Sequence, residues 1–250
     1  KSKRYTPGKT SVQYFREALQ MIREEIGTES YWLACISPFP PFLGFADGVR
    51  VANDTPLSWE GNDNMFSQMY NTHFANNILY QNDPDVFHLR NMKVSYGEIK
   101  YSQEELLTIA YFMGIIGGSI NTSDWLNDQE SISLWRFMAP TDKLEQAKLP
   151  FFGQNKPLIV AVRDYGKLGA KGILCVNPTD QPLAETLNLQ ELTGHKELYL
   201  FDWKHSGNTA IGLRSTIGIK LAPHACTLIY ASKTNKAPSP KLSIGGKLWA

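Results

Sequence analysis

The sequence predicts an α/β chain: half of a (β/α)8 barrel over residues 1–148, an antiparallel β-sandwich over 149–232, and a linker or tail over 233–250. Three observations carry this. Before Pro150, short apolar runs of strand length alternate with amphipathic helical stretches in a repeated β-loop-α pattern. After it the helical period vanishes, and strand-like runs follow one another across turns rich in Gly, Asn, Asp and Pro. With 42% hydrophobic and 20% charged residues among 250, the balance is that of one large globular domain or two modest ones.

The elements follow in order. Thr10 or Ser11 caps a helix whose Phe15, Leu19, Ile22 and Ile26 share one face, and Gly27 stops it. Tyr31 to Ile36 reads as the first strand. After the loop SPFPPFLG, Val49 to Ala52 reads as the second, with Val49 and Val51 bracketing Arg50 and Thr55-Pro56 closing the run, since proline cannot donate to a sheet ladder. A helix is expected from about Asn64 to Leu79, then a third strand over Val86 to Leu89. The capping box Ser102-x-x-Glu105 opens a helix through Leu106 to Met113 that Gly117-Gly118 ends. Ile120 begins a fourth short strand, and Ser131 to Met138 a last helix. The sandwich strands are LIVAVRD, GILCVNP, ELYLFDW, TAIGLR and HACTLIYAS, with Val160, Ile173, Leu200 and Leu228 in the core. The tail TNKAPSPKLSIGGKLWA reads as a linker or a last edge strand.

Composition excludes several functions. The 25 Lys+Arg against 24 Asp+Glu leave a net charge of +1, and no basic run is dense enough to track a phosphate backbone, so nucleic acid is not an expected partner. No apolar segment approaches the roughly 18 uninterrupted residues of a membrane span. The chain is expected to be soluble, with its compartment, secreted, periplasmic or other, left open. Cys35, Cys175 and Cys226 each lie in an apolar run, where a free cysteine acts as a small hydrophobe, and no disulfide framework is indicated. The histidines include no HExxH pair, and no CxxC accompanies them, so neither metal nor other cofactor is expected. The sequons at Asn53 and Asn121 read as chance matches.

The charged stretch GFADGVRVANDTPLSW, residues 44–59, sets Asp47 and Asp54 on either side of Arg50, with Asp54 just past a strand's C-terminal end, where chemistry in α/β folds gathers. On successive strand ends the chain carries Cys35-Ile-Ser-Pro38, Asp47-x-x-Arg50-x-x-x-Asp54, Asn82-Asp83-Pro84-Asp85 and Ser123-Asp124, followed by a β-domain. In that order these motifs resemble the C-terminal half of the melibiase-type retaining α-galactosidases of glycoside hydrolase clan D. The resemblance implies that Asp54 is the general acid/base and that Arg50 contacts the sugar. It also implies that the nucleophile lies in a Lys-x-Asp motif on an earlier strand, upstream of Lys1. This chain alone is then expected to be inactive and to need the N-terminal half of a parent enzyme as its partner, with an oligosaccharide or glycoside as substrate. Ile36-Ser37 stand where many family members place a polar residue that reads the sugar, so the sugar is open beyond α-galactose.

Other residues carry paired readings. An arginine beside the acid would favour its ionised form, so its charge should point mainly at substrate hydroxyls or be balanced by another acid; Asp47 is one candidate for that balance, or caps its loop. Cys35 contacts sugar or is a buried thiol. Asp83 and Asp85 contact substrate or brace the following loop by asx-type hydrogen bonds. Trp59 and Trp125 stack on a sugar ring or anchor the core, and Phe39 and Phe42 wall the cleft or pack the loop. The competing function is a non-catalytic carbohydrate-binding module on a degenerate barrel.

Overall fold

A computed structural model describes residues 6, 8–35, 39–125, 127, 146–165, 170–203 and 209–236. The expected helix Ser131 to Met138 and the tail beyond residue 236 lie outside the described residues.

Helix α1 (Ser11–Ile26) opens on a complete capping box, in which the Thr10 side chain accepts from Gln13 N–H while Gln13 accepts from Thr10 N–H, and it stops at Gly27 with φ 74°. Only Leu19 of its apolar face is buried; Val12, Ile22 and Ile26 remain exposed. Leu19 packs with Phe42 and Val49, and two arginines tie the helix down: Arg23 donates to the carbonyls of Ser30 and Phe45 and to Asp47, and Arg16 to Pro41 O.

Strands β1 (Leu33–Ala34), β2 (Gly48–Arg50) and β3 (Gln81–Asp83) form a parallel sheet in that order. Ala34 lies opposite Val49, and Arg50 opposite Asp83. Strands β1 and β2 are shorter than the runs expected for them, and the sheet is open: no closed barrel is present among the described residues. Helix α2 (Asn62–Asn71) ends eight residues before the expected Leu79. Side chains draw its backbone away: Thr72 Oγ1 donates to Gln68 O, Asn82 N–H donates to Asn76 Oδ1, and Asn77 turns left-handed at φ 58°, leaving a 3₁₀ turn at His73–Ala75. The expected third strand, Val86 to Leu89, is present only over Val86–Phe87, and β3 before it was not expected. Pro84 and a left-handed Asp85 separate β3 from β4 (Val86–Phe87), which pairs in parallel with β7 (Asn121–Thr122).

Between them stand a hairpin that the sequence reading missed, β5 (Met92–Val94) with β6 (Gly97–Ile99), and helix α3 (Gln103–Ile116). Ser102 and Glu105 close the capping box, and Gly117 ends the helix. Ten of its 14 residues are buried, so α3 is apolar around most of its circumference and must be covered on more than one side. The cover is Phe66 of α2 on one side, ring to ring with Phe112 at 4.6 Å, and strands of the second sheet on another.

That second sheet is antiparallel, ordered β12 (Thr209–Arg214), β11 (Leu198–Asp202), β14 (Cys226–Ser232), β9 (Ala170–Val176), β8 (Ile159–Asp164). Alternate side chains serve different cores. Ala161, Leu174, Cys226 and Leu228 pack into the cluster around α3, while Val160, Val162, Ile173 and Leu200 face a two-stranded sheet of β10 (Leu183–Asn188) and β13 (Thr216–Leu221) with the short helix α4 (Leu189–Thr193). Leu228, expected in the sandwich core, therefore faces α3 instead. Burial on both faces is why LIVAVRD and GILCV read as unbroken apolar runs rather than alternating ones.

Candidate active site

Because β1, β2 and β3 run in parallel, the residues that leave their C-terminal ends share one rim. Cys35 leaves β1, Arg50 ends β2, and Asp83 to Asp85 end β3. Arg50 is the hub. Its Nη1 lies 3.8 Å from Cys35 Sγ, and its Nη2 lies 2.7 Å from both Asp54 Oδ1 and Asp85 Oδ2. Burial works against its charge, but the hydrogen bond to Asp54 and the field of Asp85 outweigh that and hold the guanidinium above its ordinary value. Arg50 Nε is buried with no hydrogen-bond partner among the described residues.

The Asp54 turn is set by backbone as well as by charge. Val51 N–H donates to Asp83 O at 2.8 Å, Asn53 N–H to Asn64 Oδ1 at 2.9 Å, and Thr55 N–H to Asp85 Oδ2 at 2.9 Å. Asp54 itself is presented outward: its side chain is 96% exposed, against 14% for Arg50. An ion pair so open to water is weak and can be exchanged for a ligand. Beneath it, buried Asp83 accepts from Asn121 Nδ2 at 2.9 Å; burial pushes its carboxyl up, and the Asn121 hydrogen bond offsets part of that.

Two expected site residues lie elsewhere. Asp47 precedes β2, so it belongs to the opposite rim from Arg50. It pairs with Arg23 at 2.7 Å and accepts Trp32 N–H at 2.7 Å; burial disfavours its charge, but these donors outweigh it and hold the carboxyl below its ordinary value. The balance to Arg50 is Asp85. Trp59 is a core anchor, 8% exposed, packed on Phe66 at 5.1 Å and stacked on His224 at 4.6 Å. Its His224 partner bonds Glu105 of α3 and Asp180 through its two ring nitrogens, each at 2.8 Å. Phe42 packs in the core, while Trp125 is exposed with the Arg90 guanidinium 4.4 Å over its ring. Cys35 is exposed, whereas Cys175 and Cys226 are buried.

Thr55 and Asn121 had no expected place in the site; Asp83, given the same paired reading as Asp85, is buried and braces the loop by accepting Asp85 N–H. The spacing Asn82-Asp83-Pro84-Asp85 held the signal, since two acids flanking a proline after a strand make asx-type turns. A hollow of about 720 Å³ lined by Arg23, Asp47, Tyr80 and Gln81 lies on the Asp47 rim, away from Arg50. Among the described residues no three His, Cys, Asp or Glu side chains are grouped to hold a metal ion, and no helix is long and apolar enough to cross a membrane.

No protein-family model matches the chain. Solved structures do. A GH27 β-L-arabinopyranosidase from Geobacillus stearothermophilus superposes with a TM-score of 0.72 at 18% identity, over 88% of this chain and 55% of that one. The α-galactosidase I of Mortierella vinacea matches at TM-score 0.65 and 11% identity, over 92% of this chain and 66% of that one. The α-galactosidase of Saccharomyces cerevisiae, solved with raffinose, matches at 0.60 and 9%, over 88% and 68%. The chain has the fold of part of these glycosidases. It spans about half the length of the Geobacillus enzyme and about two thirds of the two fungal ones. Within this glycosidase fold, Arg50, Asp54 and Asp85 stand together on the rim where parallel-strand folds gather their chemistry.

Proposed function

We propose that the chain supplies the general acid/base, Asp54, of a retaining α-glycosidase that hydrolyses terminal α-linked sugars, α-galactosides in the first instance. The observation that carries this reading is the Arg50 hub, which brings Asp54 and Asp85 together at the C-terminal rim of the parallel strands. The likeness to glycosidase folds supports it.

Retention takes two steps. Asp54, protonated, gives its proton to the departing glycosidic oxygen while a second carboxylate attacks the anomeric carbon and forms the glycosyl-enzyme. Asp54, now ionised, takes a proton from water as that water displaces the second carboxylate. Exposure of Asp54 suits both steps, since the leaving group and the water reach it from solvent. Arg50 turns its charge toward sugar hydroxyls as substrate enters, and Cys35 flanks it at the end of β1. The attacking carboxylate belongs to the N-terminal partner half, so turnover requires the chain joined to that segment.

The test is Asp54→Ala in the enzyme that carries both carboxylates. Poor leaving groups should lose about 10²–10⁴-fold in rate, because the alkoxide departs without a proton. Aryl glycosides with good leaving groups should lose far less in glycosyl-enzyme formation. Equal loss on every leaving group makes Asp54 a binding residue, and a parent with sugar affinity but no turnover makes the chain a carbohydrate-binding module.

A further inference from the structure

Asp85 sits at φ +82°, a conformation that aspartate seldom takes. What holds it is Asp83. Asp85 N–H donates to Asp83 Oδ1 at 3.1 Å, and Asn121 Nδ2 donates to the same oxygen at 2.9 Å. Asp83 is 2% exposed, so it cannot reach a sugar and acts only through the groups it bonds. In the conformation it fixes, one oxygen, Asp85 Oδ2, meets Arg50 Nη2 at 2.7 Å, Thr55 N–H at 2.9 Å and the Thr55 hydroxyl at 3.3 Å. The Thr55 hydroxyl also donates to Val86 O. Arg50 precedes Asp54 by four residues and Thr55 follows it at once. The turn that carries Asp54 is therefore tied on both flanks to a single carboxylate oxygen, while the Asp54 side chain stays in solvent.

We infer that Asp85, locked by Asp83, is the positioning residue of the Asp54 turn: it fixes where Asp54 stands and shares the Arg50 charge with it. This rests on the reading of Asp54 as general acid/base. The charged groups around the turn are Arg50 at the end of β2 and Asp83 and Asp85 at and beyond the end of β3. His88 beyond β4 feels both Asp85 and Asp124, the latter beyond β7, and the Cys35 thiol beyond β1 touches Arg50. A guanidinium bonded to Asp54 alone would favour the ionised form of a group that must begin the reaction protonated. A second carboxylate on the same Nη2 divides that pull.

Hydrogen exchange on the chain itself reads the tie without turnover. In Asp85→Ala the Thr55 amide loses its acceptor and should exchange about tenfold faster or more, while the amides of Leu174 and Ile229 in the second sheet keep their rates as fold controls. Asp85→Asn keeps an oxygen for Thr55 but removes the charge. In the active enzyme this variant should move the alkaline limb of the kcat/KM profile to lower pH with KM little changed, because Arg50 then pulls on Asp54 undivided. Unchanged Thr55 exchange in Asp85→Ala, or an alkaline limb that stays in place in Asp85→Asn, overturns the inference. If Asp54→Ala keeps its leaving-group signature while the limb stays put, only the role of Asp85 is lost. If that signature is absent, the acid/base reading falls, and the exchange measurement alone decides whether Asp85 ties the turn.

Discussion

Asp83 and Asp47 are both carboxylates at ends of the parallel strands, yet burial wins at one and loses at the other. Around Asp83 burial outweighs the Asn121 and Asp85 hydrogen bonds, so its carboxyl titrates above the ordinary 3.8. Ionisation then costs the folded chain more than the unfolded one. The stability at stake is complete below 3.8 and is lost as pH rises through the raised value. Asn in place of Asp83 keeps an acceptor oxygen and removes the charge, so Asp83→Asn should melt no lower than the parent at pH 7, and any advantage should shrink toward acid. Melting curves at pH 7 and pH 5 check this; an equal loss at both values would contradict it. Asp47 has the opposite sign: held below 3.8, its contribution is present above that value and is lost as pH falls through the lowered one, discounted because it is 42% exposed. The Arg50–Asp54 spacing was legible because valines and a proline mark the strand's end. The partner of Arg50 was not. Asp47 is nearer in sequence, but only three strand residues, Gly48–Arg50, separate it from the other rim, and strand direction outweighs proximity.

The two capped helices separate local from global stability. Both α1 and α3 have complete capping boxes, and losing a Ser or Thr cap typically costs about 1 kcal/mol. Helix α1 buries one residue and α3 buries ten, so Thr10→Ala should speed exchange in the first turn of α1 and leave the melting temperature nearly unchanged, whereas Ser102→Ala should lower it. Equal effects on melting would show α1 to be as integral to the core as α3. Sequence fixes helix ends well where cap and glycine agree, as at Thr10 with Gly27 and Ser102 with Gly117. It fails where side chains capture the backbone, as Thr72 and Asn76 do after α2, with Asn82 Nδ2 donating in turn to Thr72 Oγ1. Strand β10 escaped because four of its six residues are exposed and three are polar, which breaks the apolar run, and β13, although it alternates strictly, follows β12 after Ser215 alone.

At the scale of the whole molecule, α3 joins the parallel strands to the second sheet. Its cluster draws Phe66 and Met69 from α2 and Ala161, Leu174 and Leu228 from the antiparallel strands, so the two parts share a core across residue 149. Glu105, in the first turn of the same helix, bonds His224, on which Trp59 stacks. The Asp54 turn thus stands on a scaffold built by both parts of the chain, and the reading of its chemistry can be tried by one product. In the enzyme carrying both carboxylates, Asp54→Ala treated with an activated aryl α-galactoside should accumulate glycosyl-enzyme, since no base activates water. Added azide, which needs no base, should restore turnover. The expected product is an α-galactosyl azide, of retained configuration, identified by its anomeric proton coupling. An azide product of inverted configuration, or no rescue at all, would contradict Asp54 as the acid/base of a retaining glycosidase.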